Sequence, residues 1–530
     1  MHWSRWVLAT LMVGSLAGCP VEEKVISSER NPTSLDDDNE RTRPDEPPPQ
    51  REDREPGEPA EPREADTQVR PPATRDGNAT SEPTEDATSE PPIDPGPTEP
   101  ADPCGGHQLA SATWVNVTAP VTWNTHADRV PFNTHMTYQG DPATTIALQW
   151  ATTEADLDAY VPRVWLAPMD QVTGEGEDAE MAWSEAGVWE GTGERYRESL
   201  LGQELGEIDW VTWTVLLDCL SPNTTYAYRV GSWESVDLET GEFIAPDLSP
   251  MGTFTTGPVA GDDSPFELVM AGDSRGGTDK IREHMPGFLS LPADMWFFNG
   301  DMSNGGTQPE WSDWMDAMGP LLAAKPLMPV QGNHEVFANV YYAQFALPIM
   351  SGLEPEMVEH AWGFTYGNAH FIGLDSNTED TVVAQTAWLE AHLASIQDDP
   401  NIDWIFAMMH HPAYSACTNH GSTQRVRTHW VPIFEAYGVD LVFSGHDHNY
   451  ERSHPVHNGE VVAPDEGVVY VVAGAFGAPP YTNGSDWWTA HSVHGDVGNY
   501  VHVAIEGKRL EITAYSMDGT QTLDSLVIEK

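Results

Sequence analysis

Cysteine is scarce in this 530-residue chain: there are four, too few for a scaffold built from disulfides. Basic residues are scarce as well. Lys and Arg number 25 against 83 Asp and Glu, a formal net charge of −58. Nucleic acid needs a basic footprint, so it is excluded as a natural partner. Aromatic residues are almost absent from 20–104, where Pro, Glu, Asp, Arg, Ser and Thr dominate. Such a segment cannot bury enough apolar surface to offset its ordering entropy and reads as a disordered linker. Proline and charge repulsion extend it. The length excludes a single ordinary domain.

The apolar stretch at residues 6–16 is too short to span a bilayer and has the shape of a signal peptide. It ends in Leu16-Ala17-Gly18-Cys19, which resembles the lipobox of bacterial lipoproteins. That resemblance implies a signal over 1–19 with Cys19 lipidated, and several acyl chains on one residue anchor a protein stably. Pro20 after the cysteine favours the outer membrane, so the expected location is the cell envelope. Cys104, Cys219 and Cys417 remain. A Cys104–Cys219 bridge suits an oxidising compartment, but spacing does not decide the pairing.

Residues 105–258 carry short alternating stretches such as "TTIALQW" and "WVTWTVLL", with no helical period. "LSPNTTYAYRVGS" (220–232) has the Leu-x-Pro-x-x-x-Tyr pattern of a tyrosine corner, so the region reads as an all-β, fibronectin type III-like sandwich. An acidic insertion at about 170–208 reads as a long loop within it. Residues 264–530 alternate strands with helical segments, the pattern of an α/β domain.

Five strand ends in this second domain carry the same chemistry. "VMAGDSRGG" presents Asp273, and "WFFNGDMSNGG" presents Asp301. "PVQGNHEV" presents Asn333, His334 and Glu335; "FAMMHHPAYS" presents His410; "LVFSGHDHNYERS" presents His446 and His448. Ligands collect at the carboxyl ends of strands in α/β sheets, so these loops are expected to converge. Glycine before Asp273, Asp301, Asn333 and His446 is read as permitting a sharp turn. The set offers carboxylate, amide and imidazole donors without thiolate, which suits two divalent or trivalent metal ions of the Fe, Mn, Zn or Mg kind.

The ordered set GD…GD…GNHE…H…GHxH resembles the calcineurin-like metallophosphoesterase superfamily. With the preceding sandwich it is most similar to purple acid phosphatases. The resemblance implies two packed mixed sheets flanked by helices, an α/β/β/α sandwich. It also implies that Asp301 bridges two metals, Asp273 and His448 bind the first, and Asn333, His410 and His446 bind the second. Asp447, between two ligands, would point elsewhere. Strand alternation would turn His411 away. The customary histidine two residues after the first Asp is replaced by Arg275, and the customary tyrosine three after the second by Asn304. Asn304 is then expected to lend its carbonyl oxygen to the first metal, or water to fill that position. Arg275 reads either as a clamp on a phosphate oxygen or as a structural ion pair. His334 would protonate the leaving group with Glu335 as its orienter, and His420 would face the substrate. The implied activity is hydrolysis of phosphate esters by metal-activated water, monoesters ahead of diesters. The alternatives are a phosphodiesterase or nucleotide hydrolase on the same site, and an inactive surface binding module. Oligomeric state is not legible.

Overall fold

Strand Ile146–Thr152 is buried along its whole length because both of its faces are covered. It lies between Phe132–Thr137 and Val211–Leu217 in an antiparallel four-stranded sheet completed by Thr192–Glu194. A second sheet centres on Thr225–Ser232, which pairs with Arg163–Pro168, Gly252–Thr255 and Asp247–Leu248. Trp150, Tyr160 and Trp213 fill the space between, with the Tyr160 and Trp213 rings stacked at 4.3 Å. This computed structural model describes residues 128–530 apart from 154–159, 161, 174–179, 182–186, 195–196, 201–202, 208–209, 233–234, 237–242, 245–246, 336–338, 465 and 494–496. The expected lipoprotein signal with Cys19, the expected linker and Cys104 lie outside the described residues. Cys219 is disulfide-bonded and Cys417 is a buried free thiol. Among the described residues no helix is long and apolar enough to cross a membrane.

The acidic insertion is not the expected long loop. Gly187–Glu190 pairs with Arg163–Pro168 and extends one sheet, while Thr192–Glu194 pairs with Val211–Leu217 and extends the other. Short strands rich in Gly and Glu carry no legible alternation, so pairing with an apolar neighbour decides their state. The tyrosine corner is present: the Ser221 N–H donates to the Tyr226 hydroxyl at 3.0 Å. Tyr226→Phe removes that acceptor and is expected to cost about 1 kcal/mol, read as a lower denaturation midpoint. An unchanged midpoint would show that the corner carries no stability.

In the second domain Leu327–Pro329, Met295–Phe298 and Phe266–Ala271 run parallel, and Asn499–Glu506, Arg509–Ser516 and Thr522–Glu529 continue the sheet antiparallel. A seven-stranded sheet has the order Ala361–Tyr366, Ala369–Leu374, Trp404–Met409, Leu441–Ser444, Val469–Ala473, Tyr450–Ser453, Thr489–Ser492. An aromatic layer joins the two sheets, with Phe297 5.0 Å from Phe371 and stacked on Trp362 and Phe364. Each fully buried ring of this kind stabilises by roughly 1.5–3 kcal/mol. Helices Thr278–Leu289 and Gln308–Leu322 cover one outer face through Ile281, Phe288, Trp311 and Trp314. Helix Glu379–Ile396 covers the other through Val382, Leu389 and Leu393. The layers are α/β/β/α, as expected. Residues 424–436 form two short helices, Gln424–His429 and Val431–Ala436, because Pro432 opens the second.

The sandwich packs directly on this domain. Tyr228 Oη donates to the Ala323 carbonyl at 2.7 Å, and the Ala346 N–H donates to Gln149 Oε1 at 2.7 Å. Gln149 sits on the face of its strand that turns away from the sandwich core, which is why that strand has no exposed side.

Candidate metal centre and active site

All five expected loops leave the carboxyl ends of parallel strands and meet where the two sheets abut. Asp273 follows Phe266–Ala271, Asp301 follows Met295–Phe298, and Asn333 follows Leu327–Pro329. His410 follows Trp404–Met409 and His446 follows Leu441–Ser444. The turn itself falls largely on the functional residues: Asp273, Asp301 and His446 have φ of 60°, 57° and 67°. Non-glycine residues held there store roughly 1–3 kcal/mol each, which the surrounding contacts must offset. Two of the glycines serve another end. A Cβ at Gly332 would lie 2.2 Å from Asp301 Oδ1, and one at Gly445 would lie 2.2 Å from Asp273 Oδ2. They permit close approach of loops rather than a turn.

Asn333 Oδ1 is 2.9 Å from His410 Nε2 and 3.0 Å from His446 Nδ1. Those two ring nitrogens are 3.2 Å apart, and Asp301 Oδ1 is 3.3 Å from His410 Nε2. Asp273 Oδ1 is 3.5 Å from His448 Nε2, and the Asp273 carboxylate accepts the His446 N–H at 2.9 and 3.0 Å. Donor atoms of Asp273, Asp301 and His448 all lie within 4.8 Å of one another, as do those of His410, His411 and His446. His448 Nδ1 donates to the Pro479 carbonyl at 2.9 Å, so its Nε2 lone pair faces the site. His410 Nδ1 donates to the Asn299 carbonyl at 2.7 Å in the same way.

Burial raises the Asp273 carboxyl well above its usual range, and the Asp301 charge adds to this while His410 opposes it. Burial alone would raise Asp301 too, but the charge and hydrogen bond of His410, with His334, hold it below the usual carboxylate range. Burial alone would lower His410, yet Asp301 beside it raises it to about 9. Two buried carboxylates this close demand positive charge. Metal cations fit that demand: the donors are oxygen and imidazole nitrogen, and His448 Nε2 is buried without a hydrogen-bond partner.

Residues 267–450 match the calcineurin-like phosphoesterase family, and residues 131–256 match the purple acid phosphatase N-terminal domain. The second domain is a calcineurin-like phosphoesterase domain. Purple acid phosphatase 23 of Arabidopsis thaliana is 27% identical over 279 residues, which are 46% of this chain and 58% of that one. Purple acid phosphatase 13 of the same plant is 30% identical over 311 residues, 50% of this chain and 54% of that one. An uncharacterised protein of Mycobacterium tuberculosis is 29% identical over 309 residues, 50% of this chain and 58% of that one. The chain thus spans little more than half the length of these relatives. A purple acid phosphatase from yellow lupin (Lupinus luteus) seeds shares the fold, with a TM-score of 0.62 at 18% identity, over 76% of this chain and 74% of that one.

The expectations for Glu335 and His411 are corrected, and Asn304 makes contacts of its own. Asn304 is exposed and turns its Oδ1 to Arg275 Nη2 at 3.4 Å, while its backbone carbonyl bonds His334 Nδ1. The residue in this structure therefore holds Arg275 and His334. Glu335 does not orient His334. It is buried and accepts the N–H groups of Asp301 at 2.7 Å, Gly332 at 3.0 Å and Ser303 at 3.1 Å. Burial, then the Asp301 charge, push its carboxyl up to about 7 against those backbone bonds. It fastens the Asp301 and Asn333 loops together.

Arg275 Nη1 reaches Tyr481 Oη at 3.3 Å, and His420 lies over His446 with ring centroids 4.3 Å apart. His334 Nε2 is 3.8 Å from Asp301 Oδ2. His411 is not turned away: its ring is 4.2 Å from that of His446, and its Nδ1 bonds Ser376 Oγ at 3.1 Å. The alternation argument fails because the strand ends at Met409, so His411 belongs to the turn. Tyr481 was not foreseen. Its ring stacks on His448 at 4.0 Å and 13°, and no motif spacing in the sequence points to it.

Proposed function

We propose that this chain hydrolyses phosphate esters, monoesters ahead of diesters, at a dinuclear metal site. The observation that carries this is the convergence of Asp273, Asp301, Asn333, His410, His446 and His448 from five strand ends into one buried donor cluster. In this reading Asp301 bridges, Asp273 and His448 hold one cation, and Asn333, His410 and His446 hold the other. When bound, such a pair supplies an activated water and neutralises phosphoryl oxygens.

The chain's own groups do the rest. Arg275 is held by two long, neutral contacts to Tyr481 and Asn304, with its Nε buried and unpaired and no ion pair among the described residues. This favours the phosphate clamp over the structural pair, since a guanidinium already neutralised would have little left to offer. His334 has Nδ1 committed to the Asn304 carbonyl, so only Nε2 faces the site, where it is placed to pass a proton to the leaving alkoxide. His420 adds a third cationic or donor group at the mouth. Three such groups suit a dianionic monoester better than a monoanionic diester. With a net charge of −58, attraction of the substrate must come from this local cluster.

The test is to strip metals from the protein, restore Mn, Zn, Fe or Mg singly, and assay aryl phosphate mono- and diesters. Turnover is expected to follow metal occupancy, with monoesters preferred. The melting temperature should rise as well, because a ligand at about 100 times its Kd stabilises the native state by about 2.7 kcal/mol. Metal binding without turnover of any ester would overturn the enzyme reading and leave the binding module.

A further inference from the structure

Asp447 lies between the two ligands of the last loop, is fully buried, and stands outside both donor groups. Its carboxylate is spent on another loop. Ser415 Oγ donates to it at 2.6 Å and the Gly421 N–H at 3.1 Å. Four residues further on, Glu451 accepts the Ala416 N–H at 2.7 Å. The outer edge of the same loop pairs with 482–484 through Thr418 N–H to Thr482 carbonyl at 3.1 Å and Gly484 N–H to Ala416 carbonyl at 3.0 Å. Those outer bonds stop at Thr418. Beyond it come Asn419 and His420, both exposed; the Asn419 N–H reaches only Cys417 Sγ of the same loop at 3.5 Å, and the next fastening to another loop is Gly421 on Asp447.

We propose that Asp447 is the positioning residue that sets His420 over the metal centre. The loop that delivers His446 and His448 thereby also fixes the imidazole facing the substrate. The kinetic consequence rests on the phosphoesterase reading; the loop geometry does not. Both carboxylate oxygens are acceptors, so one group can take a hydroxyl and a backbone N–H together. Asparagine has the same shape but turns an NH₂ toward one of those donors, which removes the fastening without opening a cavity.

The experiment compares Asp447→Asn, His420→Ala and the double variant in the metal-loaded full chain. It measures kcat/KM on an aryl phosphate, metal content, and backbone hydrogen exchange. Asp447→Asn is expected to lower kcat/KM by about tenfold, the scale of one charge-assisted hydrogen bond. The loss should match that of His420→Ala, with metal content unchanged and the double variant no worse than His420→Ala. Exchange across 415–421 should rise by about tenfold or more while Leu441–Ser444 stays protected. Ser415→Ala, which removes one donor only, should move both readouts the same way by less, and it serves if Asp447→Asn fails to fold. Additive losses, metal loss in step with activity, or unchanged exchange across 415–421 would each overturn the proposal. If the native chain hydrolyses no ester, the phosphoesterase reading falls, and the exchange measurement still decides whether Asp447 holds the loop.

Discussion

Asp301→Ala is expected to lower kcat on an aryl phosphate by a factor on the order of a thousand, with metal content falling below one ion per chain. The Asp301 carboxylate lies against both halves of the cluster, within 4.8 Å of the donor atoms of Asp273 and His448. Its Oδ1 is 3.3 Å from His410 Nε2 and accepts the His334 N–H at 3.0 Å, while its Oδ2 faces His334 Nε2. Removing it leaves His410 buried without the carboxylate that raises its pKa, and leaves the His334 N–H without an acceptor. Charge stabilisation by bound metal is worth several kcal/mol, and each 1.4 kcal/mol is about tenfold in rate. Asp301→Asn keeps the shape and loses the charge, so it should be nearly as impaired. That comparison separates electrostatics from packing. Two metals per chain and a tenth of the native rate in Asp301→Ala would refute the bridging role.

The second large effect is expected from Gly445→Ala. The added Cβ would lie 2.2 Å from Asp273 Oδ2 and 3.0 Å from the Asn299 carbonyl. Neither can move cheaply. Asp273 is pinned by the His446 N–H and by its own left-handed backbone, and the Asn299 carbonyl receives His410 Nδ1. The variant must therefore displace one side of the cluster. Overpacking of this kind costs about 1–3 kcal/mol, so a lower melting temperature and loss of the metal that Asp273 would hold are expected together. Gly287→Ala is the control, since a Cβ there meets nothing within 4 Å and alanine is the better helix former. A Gly445→Ala protein with native melting and full metal content would show that the loops can separate, and that the close packing is not required.

The amino-acid sequence by itself determined the alternation of strands and helices and the donor types at the strand ends, while the two-sheet layering was legible only through the family resemblance. Continuous apolar strands ending in Gly-Asp, Gly-Asn and Gly-His are local patterns, and periodicity carries them without reference to distant contacts. The tyrosine corner is equally local, with donor and acceptor five residues apart. What only the tertiary structure decided is which polar groups face each other. The His446 N–H meets Asp273 across 173 residues, and Arg275 meets Tyr481 across 206. Glu335 is next to His334 in the chain yet spends its carboxylate on Asp301, Ser303 and Gly332. Asp447 is next to two metal-type ligands and holds neither group of donors, and the strands of 187–194 exist because apolar neighbours pair with them. A buried hydrogen-bonding group must find a partner wherever the packed layers place one, and the position of those layers is a property of the whole chain rather than of any short stretch of it.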